Sequence, residues 1–465
     1  MAIVTVLLLL VLATAPAAGQ TTVPPGSEFN PRTPPTPTIP SAPEIVFPVP
    51  PPTAGRPVQL FEFHPLLGLS EEYSDNFNRS VRNHEDNFRS MVSPGMNVRL
   101  DAGYLTGQAT YVFSGLHDSS SDELGYFNAF AGQLSWEATP RLRLSAAAAV
   151  TQNDEPGRAD RLGLRLERRR FTAGNGSLSA DWEIASPITA SPYYRASYFN
   201  EDRGAETLTH IFGGNVATSI ARINTVTLGY EYLTSETSST RGAKDAFGVS
   251  GHQLSASLSR DLSERSTAGV SGNYAWRTQD ARAPDAEINF TRWNGSVFAN
   301  YAIPNTIVIR ANVGVSQLSS DSFNGDPVVS TASSLSYWFG QAVATITVER
   351  GYSETFAGGQ NQGVVQTTGA SGSLFYPFTP SLGGHAGVSY HENEFTGIGG
   401  TPTATGGNSS STRTDKVLSA GVGVSYQILR WLGSSLDYTF SKTDSSDVDG
   451  HIIENSVRLS LNFAF

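Results

Sequence analysis

Nine charged residues occupy places where polar and apolar side chains alternate: Arg99, Asp101, Arg143, Arg165, Arg195, Glu231, Arg310, Asp437 and Arg458. Fixed charges on the wall of a water-filled passage set electrostatic barriers to ions, so these residues are candidate lumen-lining groups. The competing reading is internal charge pairing that fills or stiffens the interior. The run LRLERRRF (164–171) is the only dense basic cluster. It fits an anion-attracting vestibule, a contact with lipopolysaccharide phosphates, or a plainly solvated loop. DSSDVDG (444–450) has carboxylates at calcium-like spacing but lacks the closing bidentate Glu, so no metal is expected. Neither G-x-S-x-G nor H-E-x-x-H occurs, and the eight His allow only accidental Ser/His/Asp groupings. No catalytic residue and no cofactor is predicted, and a barrel hydrolase is the least favoured reading. The absence of Cys removes thiolate metal sites, cysteine nucleophiles and disulfide scaffolds.

The elements that would hold such charges are strands. In the last segment Val457, Leu459, Leu461, Phe463 and Phe465 share one face, and Arg458, Ser460, Asn462 and Ala464 the other. Period-two alternation of this kind marks strands with two different environments. It recurs at 418–428, 307–315, 142–151 and 98–101.

A β-sandwich would alternate too, and three further features decide against it. Short turns at 102–105, 138–141, 185–189, 221–224, 261–265, 302–306, 338–341, 378–382 and 430–432 alternate with longer polar connections. Alternation runs for about 11–15 residues, whereas a tilted strand needs about 9–11 to cross a bilayer core. Trp136, Trp182, Trp338 and Trp431 lie close to the short turns, as interfacial aromatic rings do. The pattern predicts an all-β fold: a closed antiparallel transmembrane β-barrel of about 20 strands, range 16–22, with short periplasmic turns and long extracellular loops. Residues 162–171 and 327–340 resist phasing.

The chain has 465 residues, only 73 of them charged, and a formal net charge of −11. That balance offers no basic face for nucleic acid. Residues 1–18 read as a secretory signal peptide ending near Ala15-Pro16-Ala17, although no Lys or Arg precedes the apolar run. Half of the 26 prolines fall in the stretch that follows, so 19–57 reads as an extended, disordered periplasmic segment. Residues 58–465 form the barrel. A TonB-dependent transporter needs a folded plug of over a hundred residues, for which this segment is too short. The expected location is the bacterial outer membrane, with its lipid and lipopolysaccharide as surroundings.

Two motifs add a resemblance. The ending with Leu461, Phe463 and Phe465 on one face resembles the C-terminal signal read by the barrel-assembly machinery. The opening LGLSEEYSDNFNRS (67–80), with Tyr73-Ser74-Asp75-Asn76, resembles the start of the β-barrel porins associated with exopolysaccharide and exosortase systems. The resemblance implies an outer-membrane barrel connected with polysaccharide export and supplies no functional residues. With about 20 strands, wide enough for an aqueous lumen, the expected function is a porin-like channel for passive diffusion or polysaccharide-associated export. The alternative is a non-transporting scaffold barrel.

Overall fold

In the computed structural model, residues 60–465 are described, apart from 156–167, 203, 222, 240–246, 281–286, 322, 356–362, 396–412 and 447–449. Arg165 therefore lies outside the described residues, as do 1–59.

The chain opens with β1 (Phe61–Ser74) and closes with β21 (His451–Ala464). Between them run hairpins joined by tight turns. The first are β2 (Asn87–Asp101) with β3 (Leu105–Asp118), β4 (Glu123–Thr139) with β5 (Leu142–Asn153), and β6 (Phe171–Ala185) with β7 (Ile188–Glu201). Next come β8 (Ala205–Ile220) with β9 (Asn224–Ser239), β10 (Phe247–Ser263) with β11 (Ser266–Asp280), and β12 (Glu287–Ile303) with β13 (Ile307–Ser320). The last are β15 (Val328–Phe339) with β16 (Ala342–Glu354), β17 (Val364–Thr379) with β18 (Leu382–Phe395), and β19 (Thr414–Leu429) with β20 (Leu432–Ser445). β14 (Phe323–Asn324) is a two-residue stub hydrogen-bonded to β13 in a loop. Setting it aside leaves 20 spanning strands among the described residues.

All neighbours are antiparallel, and β1 pairs with β21 from Leu66↔Ala464 to Ser74↔Ser456. The sheet is thus a closed ring. Closure satisfies the backbone N–H and C=O groups without water, which a lipid environment demands. Every predicted tight turn is present, all at one end together with both ends of the barrel chain. The turn after β2 depends on Gly103 at φ 76, a left-handed conformation that glycine adopts without a Cβ clash. At the opposite end two connections are shorter than the pattern predicts, 119–122 and 202–204.

The two faces separate as the alternation predicts. Leu258, Val270 and Val297 are about half exposed, while the intervening Ser235, Arg277 and Ser316 are buried. Apolar side chains therefore face outward and polar ones inward, the reverse of a soluble core. Such an exterior is compatible only with lipid, and the chain is an outer-membrane barrel. The Leu258→Arg variant, which sets a cation in this belt, is expected to lose about 2–4 kcal/mol of stability in lipid vesicles. Equilibrium denaturant unfolding checks it, with Ser257→Arg on the inner face as the comparison.

The aromatic girdle is confirmed at Trp136, Trp182 and Trp431, which are 45%, 49% and 42% exposed. Trp431 stacks on Phe463 and Phe465 at 6.1 and 5.8 Å. Trp338 is a correction. Its neighbours Tyr337 and Phe339 stack on each other on the lipid side, so Trp338 falls on the inward phase.

Candidate inner wall and outer mouth

The seam between first and last strands is held by charge as well as by backbone. Arg458 on β21 lies opposite Glu72 on β1, donating from Nε to Glu72 Oε2 at 2.7 Å and from Nη2 to Glu155 Oε1 at 2.8 Å. Ser74 Oγ donates to Glu454 Oε1 at 2.9 Å. The Asp75-Asn76 step continues the join beyond the ladder. Asp75 accepts from the Asn455 backbone and side chain, each at 2.7 Å. Asn76, fully buried, donates to the Ile453 carbonyl at 2.7 Å and accepts from Ser80 N. The opening motif of the barrel is a latch between its first and last strands.

Around that latch a dense ionic group lies on the inner side of the wall near the outer rim. Arg89 on β2 binds Asp118 and Asp154, each with a contact of 2.7 Å. Arg168, from the connection before β6, donates to Glu454 at 2.8 Å and to the Phe77 carbonyl at 2.8 Å. Arg79 reaches Glu454 at 3.3 Å. The guanidinium carbons of Arg168 and Arg89 stand 4.3 and 4.7 Å from the Phe77 ring centroid. Burial opposes the Arg168 cation, yet Glu454, Asp154 and Glu155 hold its pKa above the ordinary guanidinium value.

The basic run at 164–171 is thus neither a solvated patch nor a lipopolysaccharide contact at Arg168, which turns inward. Arg170 donates to the Tyr126 carbonyl at 2.6 Å and covers the Tyr126 ring. Arg169 lies 3.8 Å from Glu201. Of the three arginines only Arg168 has a buried side chain, and no local pattern announces it.

A second inward bridge stands elsewhere on the wall. Glu354, at the end of β16, lies 3.1 Å from both Arg277 on β11 and Arg292 on β12. Arg292 also donates to the Tyr352 carbonyl at 3.0 Å. β16 is not a neighbour of β11 or β12, so this bridge crosses the inside of the ring rather than following the ladder. Beside it Ile211, Leu233, Val249, Phe290, Leu318 and Val364 form a buried apolar cluster. They lie on inward phases or at a strand start, so part of the interior is packed and dry. Neither a wet lumen nor charge pairing, the two readings the alternation left open, accounts for these apolar side chains.

The predicted lumen residues divide accordingly. Arg458 belongs to the seam. Arg195 pairs with Glu231 at 2.7 Å, and Tyr193 Oη donates to the same carboxylate oxygen at 2.8 Å. Asp437 is buried, with His385 Nε2 at 3.2 Å. Arg143 pairs with Glu137 at 2.9 Å at the periplasmic rim, where both are exposed. Asp101 is exposed in the first tight turn and accepts from Gly103 N at 3.1 Å. Arg99 and Arg310 face the interior and form no ion pair among the described residues; register sets Arg310 between Asn300 and Ser334. Four of the eight described residues, Arg143, Arg195, Glu231 and Arg458, are thus held in carboxylate–guanidinium pairs. Much of the periplasmic half of the inner wall is lined by small side chains, among them Ser145, Ser177, Ser257, Ser271, Asn312 and Ser373, beside the bulkier Phe298, Trp338 and Phe375. Among the described residues no group of three or more His, Asp or Glu could hold a metal ion.

No protein-family model matches the chain, and no curated protein matches it. Solved structures do. The FrpB iron transporter from Neisseria meningitidis (F5-1 variant) is 10% identical over 86% of this chain and 82% of that one, with a TM-score of 0.50. The siderophore receptor PirA from Pseudomonas aeruginosa is 11% identical over 88% and 81%, with a TM-score of 0.47. Acinetobacter baumannii OccAB3 is 10% identical over 87% and 99%, with a TM-score of 0.39. At such identity the likeness is one of fold. The class is the large closed β-barrel of bacterial outer membranes.

Proposed function

We propose that this barrel is a porin-like channel for passive diffusion of small polar solutes or for polysaccharide-associated export. The observation that carries this reading is the closed ring of 20 spanning strands with small, polar inward side chains over much of its periplasmic half. Barrels of 16–18 strands already enclose an aqueous channel. The likeness of residues 67–80 to exopolysaccharide-associated porins supports the choice of cargo. Residues 1–18 serve as the export signal and 19–57 as a periplasmic tether. Leu461, Phe463 and Phe465, which lie on the lipid-facing phase of β21, suit recognition by the assembly machinery.

One observation favours a non-transporting scaffold instead. The outer half carries buried ion pairs and an apolar cluster, and Phe298 is inward and only 7% exposed. Planar-bilayer recordings separate the two. The channel reading expects discrete current steps from the wild-type protein and larger steps from the Phe290→Ala/Leu318→Ala variant, which thins the packed region. Silence from both, with folding verified by migration of unheated samples in gels, establishes the scaffold.

A further inference from the structure

The register aligns one inward position per strand into a continuous row. Trp338 lies opposite Val343, Val343 opposite Phe375, Phe375 opposite His385 and His385 opposite Gly423. Gly423 then faces Asp437, Asp437 faces Arg458, and Arg458 faces Glu72. Trp338 is next to last on β15 beside a periplasmic turn, whereas Glu72 is third from the outer end of β1. Strand tilt therefore makes the row a ramp that climbs the inner wall from the periplasmic end towards the outer mouth.

The upper part of the ramp is closed by ion pairs. The lower part is not. Trp338 and Phe375 remain partly exposed on inward phases, separated by one intervening strand, or roughly 10 Å. Space around them is kept by glycine: a Cβ at Gly383 would meet the Phe375 ring at 3.3 Å. The absence of a side chain at Gly423 lets His385 reach across β19 to Asp437, which a Cβ there would obstruct. Neither Asp437 carboxylate oxygen accepts a hydrogen bond among the described residues, although the residue is only 4% exposed. The flanking inward side chains are hydroxyls: Ser334, Ser336, Thr345, Ser371 and Ser373, with Ser336 and Thr345 3.0 Å apart.

Aromatic faces carry negative π density and attract polarised C–H groups. Hydroxyls and the part-exposed His385 imidazole offer hydrogen bonds, and Trp338 to Gly423 carries no fixed carboxylate or guanidinium. A purely apolar chain would leave those hydroxyls unpaired, and a charged chain would meet one guanidinium, Arg310 opposite Ser334, rather than a run of counter-charges. A neutral polyhydroxylated chain, with C–H-rich ring faces and hydroxyl edges, satisfies both. We infer that Trp338, Phe375 and His385, the last positioned by the buried Asp437, form a binding track for a neutral oligosaccharide segment inside the barrel. The inference rests on the channel reading for its purpose, but the binding itself can be measured separately.

The test uses the whole barrel in detergent, with neutral glucan, mannan and galactan heptasaccharides as probes and polyethylene glycol of matched mass as the non-sugar control. At least one sugar is expected to change the tryptophan fluorescence. Trp338→Phe should remove most of that change although the other five of the six tryptophans remain. Phe375→Ala should weaken binding at least about tenfold. Trp338→Phe is the conservative variant, and Phe375→Ala is scored only on protein that migrates as folded. Absence of binding by all three sugars, equal binding by the variants, or an equal response to polyethylene glycol overturns the track. Sugar binding without bilayer current overturns the channel reading and leaves the track; current without sugar binding does the opposite.

Discussion

Glu354→Gln is expected to destabilise the barrel by about 3–5 kcal/mol, because it leaves two buried guanidinium groups without their shared counter-charge. Arg277 and Glu354 are almost wholly buried, and Arg292 is largely so. The site is already imperfectly satisfied, since Arg277 Nη1 and Arg292 Nε have no hydrogen-bond partner among the described residues. A removed charge therefore has no substitute close by. Replacing all three, as Arg277→Met/Arg292→Met/Glu354→Leu, should be neutral or stabilising by about 1–4 kcal/mol, because apolar groups of similar size avoid the desolvation cost. Denaturant unfolding in vesicles gives both numbers. A single variant as stable as the wild type would show that water reaches this corner freely.

Arg458→Met should be of similar size, about 3–5 kcal/mol, but its effect falls on ring closure. Arg458 bridges Glu72 and Glu155, both acceptors within the buried group at the seam. Its loss puts two carboxylates next to each other without their cation. The expected result is a larger share of protein migrating as unfolded in unheated gels, and denaturation at lower denaturant concentration. Arg143→Met at the rim is the control: its pair with Glu137 is more than half exposed, where ion pairs contribute about 0–1 kcal/mol. Equal effects from the two variants would refute a special role for the seam.

Much of this fold is legible in sequence because lipid and interior impose opposite demands on successive residues. Val457, Leu459 and Phe463 read as one face without any structure, and the tight turns follow from where the alternation stops. Legibility fails where partners are distant. Nothing near Arg168 indicates that it meets Glu454, 286 residues away, and Glu354 gives no sign of Arg277, 77 residues earlier. Both contacts join strands or connections that are not neighbours in the ring. Trp338 fails for a local reason: Tyr337-Trp338-Phe339 are three aromatic residues in succession, so composition cannot phase them. Arg89 and Arg277 could have been found, since both lie on the polar phase of regular strands.

The junction of β1 with β21 has a kinetic consequence. Its paired residues, such as Glu72 and Arg458, are separated by 386 positions, so the loop-closure entropy must be met in full before that contact returns any energy. Every other neighbour pair can zip from an adjacent hairpin; this one waits for the whole chain. The charges placed there then act mainly after the rate-limiting encounter. They lengthen the lifetime of the finished ring rather than hasten its making.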